Sequence, residues 1–221
     1  QEPEFFEYAG AAGGFIDKFG FPFCRGRIFD ELEKDEGQYD DPSTIFWASG
    51  AALAIRKELF LEIGGFDEDF EFHMEEIDLC WRLQNQGYRI GYSPESVVYH
   101  LGGGSLPMGS PRKVFYNFRN SLYMLWKNYS STSLRTRIPI RIILDIVAAW
   151  KAFLEGRPKE WLAIIKAHLH FFQNLKKMNH KRKDLQKNRV LQKDPDTMFN
   201  GSIIWKHFLK KRNKFSELDQ D

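Results

Sequence analysis

Cysteine is scarce: Cys24 and Cys80 are the only two among 221 residues. Two thiols cannot build a disulfide framework, so the fold must rest on a hydrophobic core. They suit a reducing compartment, with one buried bridge left open. No stretch reaches the ~18 to 20 consecutive apolar residues of a bilayer-spanning helix. The best one, residues 138–150, is interrupted by Arg141 and Asp145. Internal repeats and low-complexity tracts are lacking too, which removes solenoids and fibrous arrays. No signal-peptide pattern opens the sequence, which begins with Gln. Residue 1 therefore reads as a cut in a longer polypeptide.

What is present is globular in composition: hydrophobic residues make 43% and charged residues 28%, which excludes a disordered chain. A net charge of +2 conceals a division at Ser110. Residues 1–110 carry 8 Lys and Arg against 21 Asp and Glu, a net of −13; residues 111–221 carry 24 against 9, a net of +15. An acidic half suits carboxylate or metal chemistry, whereas a basic half suits phosphate or an anionic surface.

Periodicity organises the first half as mixed α/β. Short apolar pieces around residues 8–23 read as strand fragments and loop, and the acidic stretch 27–44 as a solvated loop. Residues 45–55 read as a buried strand. Residues 56–63 read as a helix stopped by Gly64-Gly65, where a left-handed cap costs Gly little. Residues 75–86 form the clearest helix, with Leu79 and Leu83 on one face and Asp78 four before Arg82 on another, ended by Gly87. Residues 88–92 and 97–100 read as short strands. Beyond Pro111 only helical stripes occur, at 112–127, 140–154 and 158–175. Residues 176–193 lose their apolar positions and read as solvated, and 203–208 as a last amphipathic piece.

The densest chemistry is Glu75, Glu76 and Asp78 in the first turn of a helix. A helix N-terminus favours such carboxylates, which serve elsewhere as a proton acceptor or cation holder, or simply as a charged first turn paired with Arg82. Asp67-Glu68-Asp69 is formally a DxD metal motif, but it follows a Gly-Gly turn and is not expected to hold a metal. Asp194-Pro195-Asp196 lies in a basic tail and is read as structural. Trp47 suits either a sugar-stacking platform or the core.

In order along the chain stand SGA at 49–51, GGFDE at 64–68, EEID at 75–78 and HLGGGS at 100–105. These pieces, within residues 47–105, resemble the second half of the catalytic domain of glycosyltransferase family 2, most of all its bacterial rhamnosyltransferase-like members. The similarity covers roughly residues 5–130. It implies an α/β fold class: the carboxyl-terminal half of a GT-A domain on the acceptor side (1–110), a basic amphipathic helical region (111–180) and a basic tail with a short helix (181–221). It also implies an inverting transfer from a nucleotide-diphosphate sugar to a glycan or lipid-linked acceptor in surface polysaccharide synthesis.

Carried over residue by residue, the base falls on Glu76, where many relatives have Asp, with Asp78 the rival and Glu75 beside them. Substrate contacts fall on Trp47, Ser49, Gly50, Ala51, Asp67 and Arg82. His100 falls on a position that in some relatives completes the site of a divalent cation, Mn²⁺ or Mg²⁺, held mainly by a DxD not present in this chain. Gly102, Gly103 and Gly104 beside it offer backbone to a diphosphate. A missing donor-binding half makes residues 1–221 inactive alone by expectation. The resemblance further implies a cytoplasmic protein, peripheral on the inner face of the plasma membrane; its basic amphipathic helices are expected to pack on each other and on the catalytic domain over most of their apolar area and to meet an anionic lipid surface with the rest. No zinc-finger spacing or RNP run is present, so nucleic acid is not an expected partner. The competing classes are a non-catalytic module binding a polyanion or membrane, and a degenerate transferase kept as a scaffold.

Overall fold

The computed structural model describes residues 4–6, 11–98 and 109–218. The fold is mixed α/β, with strands confined to the acidic half and long helices to the basic half. Four short strands, β1 (Gly14–Ile16), β2 (Pro22–Cys24), β3 (Arg27–Ile28) and β4 (Glu31–Leu32), form an antiparallel meander. A separate pair, β5 (Ser43–Ile45) and β6 (Ile90–Tyr92), is antiparallel with Ile45 opposite Ile90. Helices α1 (Lys57–Glu62) and α2 (Glu75–Asn85) lie between those two strands in sequence. Helices α3 (Pro111–Asn128), α4 (Ser131–Leu154), α5 (Pro158–Gln173) and α6 (Leu175–Lys187) follow, then a single π-helical turn at Trp205–Leu209.

Local chemistry explains the boundaries. Gly64 and Gly65 stop α1 at φ +84° and +62°, and Gly87 ends α2 at φ +89°, conformations that cost a residue with a Cβ about 1 kcal/mol or more. Ser110 caps α3 by accepting from the Lys113 amide at 3.3 Å, with Pro111 in the first helical position. α2 is the central piece. From Ile77 to Asn85 every side chain is buried, and Trp81 meets Phe46 and Tyr129 edge-on.

Four expectations are revised by this architecture. The strand expected over 45–55 ends at Ile45, because Ser49 turns the chain: its hydroxyl accepts from the Ala51 amide and its carbonyl from the Ala52 amide. Residues 27–44 are not merely solvated loop. They hold β3 and β4, and Glu33 is buried, accepting from the Tyr39 hydroxyl and the Phe215 amide. Residues 176–193 are mostly helix α6, whose cations are taken up by partners distant in sequence. Arg182 donates to the carbonyls of Trp126 and Tyr129, and Arg189 to that of Asn128, so they satisfy the exposed carbonyls at the C-terminus of α3. Val97 and Val98 are exposed and form no strand; the remainder of the expected strand at 97–100 lies outside the described residues.

Both cysteines are buried thiols. Among the described residues, no helix is long and apolar enough to cross a membrane. A small satellite core joins Phe23 and Ile28 of the meander to Ile203 and Leu218 near the other end of the sequence. The Phe199 amide donates to the Ile16 carbonyl, and the Ile203 amide to the Asp17 carboxylate, each at 2.9 Å.

Candidate functional site

The approach to α2 is unusual in its backbone. His73 and Met74 both sit at left-handed φ, +65° and +75°, although neither is glycine, and the chain turns through them directly into Glu75. Helix α3 holds this turn. The Asn120 amide donates to the carbonyls of Phe72 and His73, at 2.6 and 2.9 Å, and is itself held by the Arg119 guanidinium at 2.9 Å. Arg119 also donates to the Asp69 carbonyl, and the Tyr116 hydroxyl to Glu71. Strained conformations of this kind persist only where surrounding contacts over-determine them. Asn120→Ala leaves two carbonyls without their donor and is expected to cost about 1–3 kcal/mol in urea unfolding. Amide hydrogen exchange should rise first at residues 73–78; a uniform rise across α2 would show that Asn120 has no special hold on the turn.

The acidic trio divides into two environments. Asp78 is fully buried and accepts from Arg82 Nε at 2.9 Å, Asn128 Nδ2 at 2.7 Å and Lys127 Nζ at 3.0 Å. Arg82 is buried in turn and donates to the carbonyls of Ile63 and Gly65. Neither side chain has a face left for a substrate. Glu75 and Glu76 are half-buried, and on each the Oε2 atom is buried without a hydrogen-bond partner. Burial pushes Glu76 up to about 7, with the charge of Glu75 adding, while the amides of Glu76 and Ile77 pull the other way. Burial also raises Glu75. His73, two and three residues earlier, has a buried Nε2 without a partner, and burial together with Lys113 lowers its pKa, which keeps the ring neutral.

The other sequence-derived positions are scattered. Trp47 is core: it lies over β1 so closely that a Cβ on Gly14 would stand 2.1 Å from its ring, and its indole N–H donates to the Phe15 carbonyl at 2.8 Å. Asp67 is clamped by Lys127 and Lys181, and Asp69 by Lys177 and Lys181. Burial alone would raise Asp67, yet the two ammonium groups hold it well below the usual carboxylate range. The apparent DxD is therefore a cross-link between the acidic and basic halves. Asp194 is likewise structural, accepting from the Ser130 amide and pairing with Arg137 and Arg189.

Ser49 and Ala51 line an open cavity of about 1310 Å³ walled mainly by small and apolar residues such as Ala52, Leu53 and Ile55. Gly50 beside them has nothing near the place a Cβ would occupy. Glu75 and Glu76 are not part of that wall. The α2 face bearing Glu76 does carry Cys80 one turn on, hydrogen-bonded to the Ala48 backbone, so it borders the same 48–53 segment. His100 and the three glycines at 102–104 lie outside the described residues. Among the described residues no three His, Cys, Asp or Glu side chains are grouped to hold a metal.

Residues that sequence reasoning passed over are His73 and Asn120. No helical period marks either; a histidine just before an acidic first turn was the one available signal.

Comparison with known proteins bears on what such a site does. Over 86 residues the chain is 37% identical to a pre-mycofactocin glycosyltransferase of Mycobacterium tuberculosis, a match covering 37% of this chain and 18% of that protein. It is 25% identical over 168 residues to the dTDP-rhamnosyl transferase RfbF of Shigella flexneri, covering 68% of this chain and 56% of that protein. This chain is a relative of bacterial glycosyltransferases. An N-acetylglucosaminyl-diphospho-decaprenol L-rhamnosyltransferase of M. tuberculosis is 41% identical over 56 residues, covering 25% of this chain and 18% of that protein. The chain thus spans between about a fifth and about half the length of these relatives. No family model and no solved structure matches it.

Proposed function

We propose that this chain supplies the acceptor-activating part of an inverting, family 2, GT-A-type glycosyltransferase of surface polysaccharide synthesis, with Glu76 as the base. The observation that carries the proposal is the division of the acidic trio. Asp78 is spent in a buried ion network, whereas Glu76 keeps an unpartnered carboxylate oxygen on the α2 face bordering the 48–53 segment. An alcohol becomes a competent nucleophile as its proton leaves, and a carboxylate titrating near neutral pH is matched to that task. Glu76 takes the proton of the acceptor hydroxyl. The freed oxygen bonds to the anomeric carbon from the face opposite the leaving group. The bond from that carbon to the diphosphate oxygen breaks, and its electron pair departs with the nucleotide.

Arg112 and Lys113 at the start of α3 approach the same turn, Arg112 stacking over Phe72 at 5.4 Å and Lys113 acting on His73, and they suit an anionic leaving group. The relatives' names point to a nucleotide-activated rhamnose and a lipid-linked or glycan acceptor. The rest of donor binding, and any divalent cation, fall to residues outside those described. A lipid-linked acceptor places the enzyme at an anionic membrane surface on the cytoplasmic side.

The test is the pH dependence of transfer by a polypeptide containing this chain together with the remaining length its relatives have. The rate should rise tenfold per pH unit below about 7 and level off above it, since only the ionised form of Glu76 accepts a proton. A rate independent of pH from 5 to 9 would remove Glu76 from the chemistry.

A further inference from the structure

Helix α4 is apolar on two faces, and only one is covered. Its inner face buries Ile138, Ala149 and Ala152 around the Arg141–Asp145 ion pair. On the opposite side Ile140, Ile143, Val147, Trp150 and Leu154 recur at spacings of three and four, and they are 42, 60, 59, 53 and 81% exposed. At 1.5 Å per residue this stripe is about 21 Å long. A helix that is apolar all round is ordinarily buried all round, yet this side stays largely exposed, with the Trp161 ring near Trp150.

The patch continues onto neighbouring elements. The Trp161 ring at the start of α5 lies 6.4 Å from Trp150 and 5.6 Å from Phe153. Lys151 Nζ lies 6.0 Å from the Phe208 ring of the π-turn, where Trp205, Phe208 and Leu209 are all exposed. On α5, Lys166 follows Leu162 by four residues and precedes Leu169 by three, so a cation sits within that helix's exposed apolar row.

We propose that the outer face of α4, with Trp161 and the π-turn, is the surface by which this protein lies on an anionic lipid bilayer. It rests on the membrane contact proposed above and says which of the helical stripes makes it. The α3 stripe is excluded, since Leu122 and Leu125 are fully buried and its C-terminal carbonyls are occupied by Arg182 and Arg189. Charge chooses the occupant. A second copy docked along the stripe brings two halves of net charge +15 together, whereas an anionic surface attracts that charge. Exposed Trp and Phe beside exposed Lys151, Lys159, Lys166, Lys210 and Lys211 match a helix lying in the headgroup layer, where aromatic rings enter the acyl boundary and lysines reach the phosphates.

Flotation of the 221-residue chain with vesicles of phosphatidylcholine, alone or with one-third phosphatidylglycerol, tests this. Binding is expected at low salt to the anionic vesicles, at least about tenfold tighter than to the neutral ones, and to be lost as salt screens the lysines. Lys151→Gln and Lys166→Gln should each weaken it about fivefold. Ile143→Ser with Trp150→Ser should weaken it about tenfold or more while leaving the far-ultraviolet circular dichroism unchanged, since both side chains are exposed. No binding at low salt, equal binding by the double serine variant, or a lipid-free dimer that Trp150→Ser dissociates would each overturn the proposal. None of these readouts involves sugar transfer. A failed Glu76 and a failed lipid surface are therefore told apart, because Glu76→Gln should float normally.

Discussion

Glu76→Gln is expected to abolish sugar transfer and to make the folded protein more stable at pH 8. Removing a positioned base typically costs 10²- to 10⁴-fold in rate. The stability gain follows from the carboxyl group's titration. Burial lifts Glu76 from its ordinary 4.5 to about 7 in the folded chain, so between those values the folded state keeps a proton that the unfolded state has released. Wild-type stability therefore falls as pH rises through this window, and above pH 7 the whole penalty is present. Gln cannot ionise and escapes it, by a gain on the order of 3 kcal/mol at pH 8, or roughly 10 °C in Tm for a chain of this size. Below pH 4.5 the two proteins should melt together. Asp17, pushed to about 6 by burial, adds a similar fall to both, so the informative quantity is the difference between variant and wild type at each pH. A variant that melts lower at pH 8, or that transfers sugar at the wild-type rate, would refute the assignment.

Asp78→Ala should behave in the opposite way. The substitution leaves Arg82, which is buried, without its carboxylate and Lys127 with Asp67 alone, and breaking a buried pair from one side costs about 3–5 kcal/mol. That is a large part of the 5–15 kcal/mol that holds a typical domain together. Replacing both partners, Asp78→Leu with Arg82→Met, removes the unpaired charge as well as the pair and should cost less than the two single changes summed, while Lys127 keeps Asp67. Urea unfolding of the four proteins measures this. If instead Asp78→Ala folds normally and displaces the pH profile of transfer, the proton acceptor is Asp78 and not Glu76.

These two carboxylates illustrate what a sequence reveals and what it hides. Both stand in one acidic turn, and local spacing offers no more than an Arg82 four residues after Asp78. What separates them is Lys127 and Asn128, about fifty residues further on, brought against Asp78 by the packing of α3. Elements whose signal is periodic were legible: α1 with its glycine stop, α2, and the three apolar stripes that became α3, α4 and α5. Helix α6 was not, because its stability comes from charges meeting Asp67, Asp69 and the end of α3, and such pairing leaves no apolar period. The same long-range pairing reveals the aspartates at 67 and 69 as a clamp. Trp47 was ambiguous until its distance from Gly14 showed that no room for a sugar is left beneath the ring.

The satellite core has a consequence for how the polypeptide is made. Ile203 and Leu218, which complete the packing of Phe23 and Ile28, follow them in synthesis by about 180 residues. Until synthesis reaches that point, Asp17 lacks the Ile203 amide and β1 lacks its contact with Phe199. The meander must therefore wait, part-formed and with aromatic side chains uncovered, while the helices are translated. Nascent chains of this protein are for that interval natural clients for a chaperone.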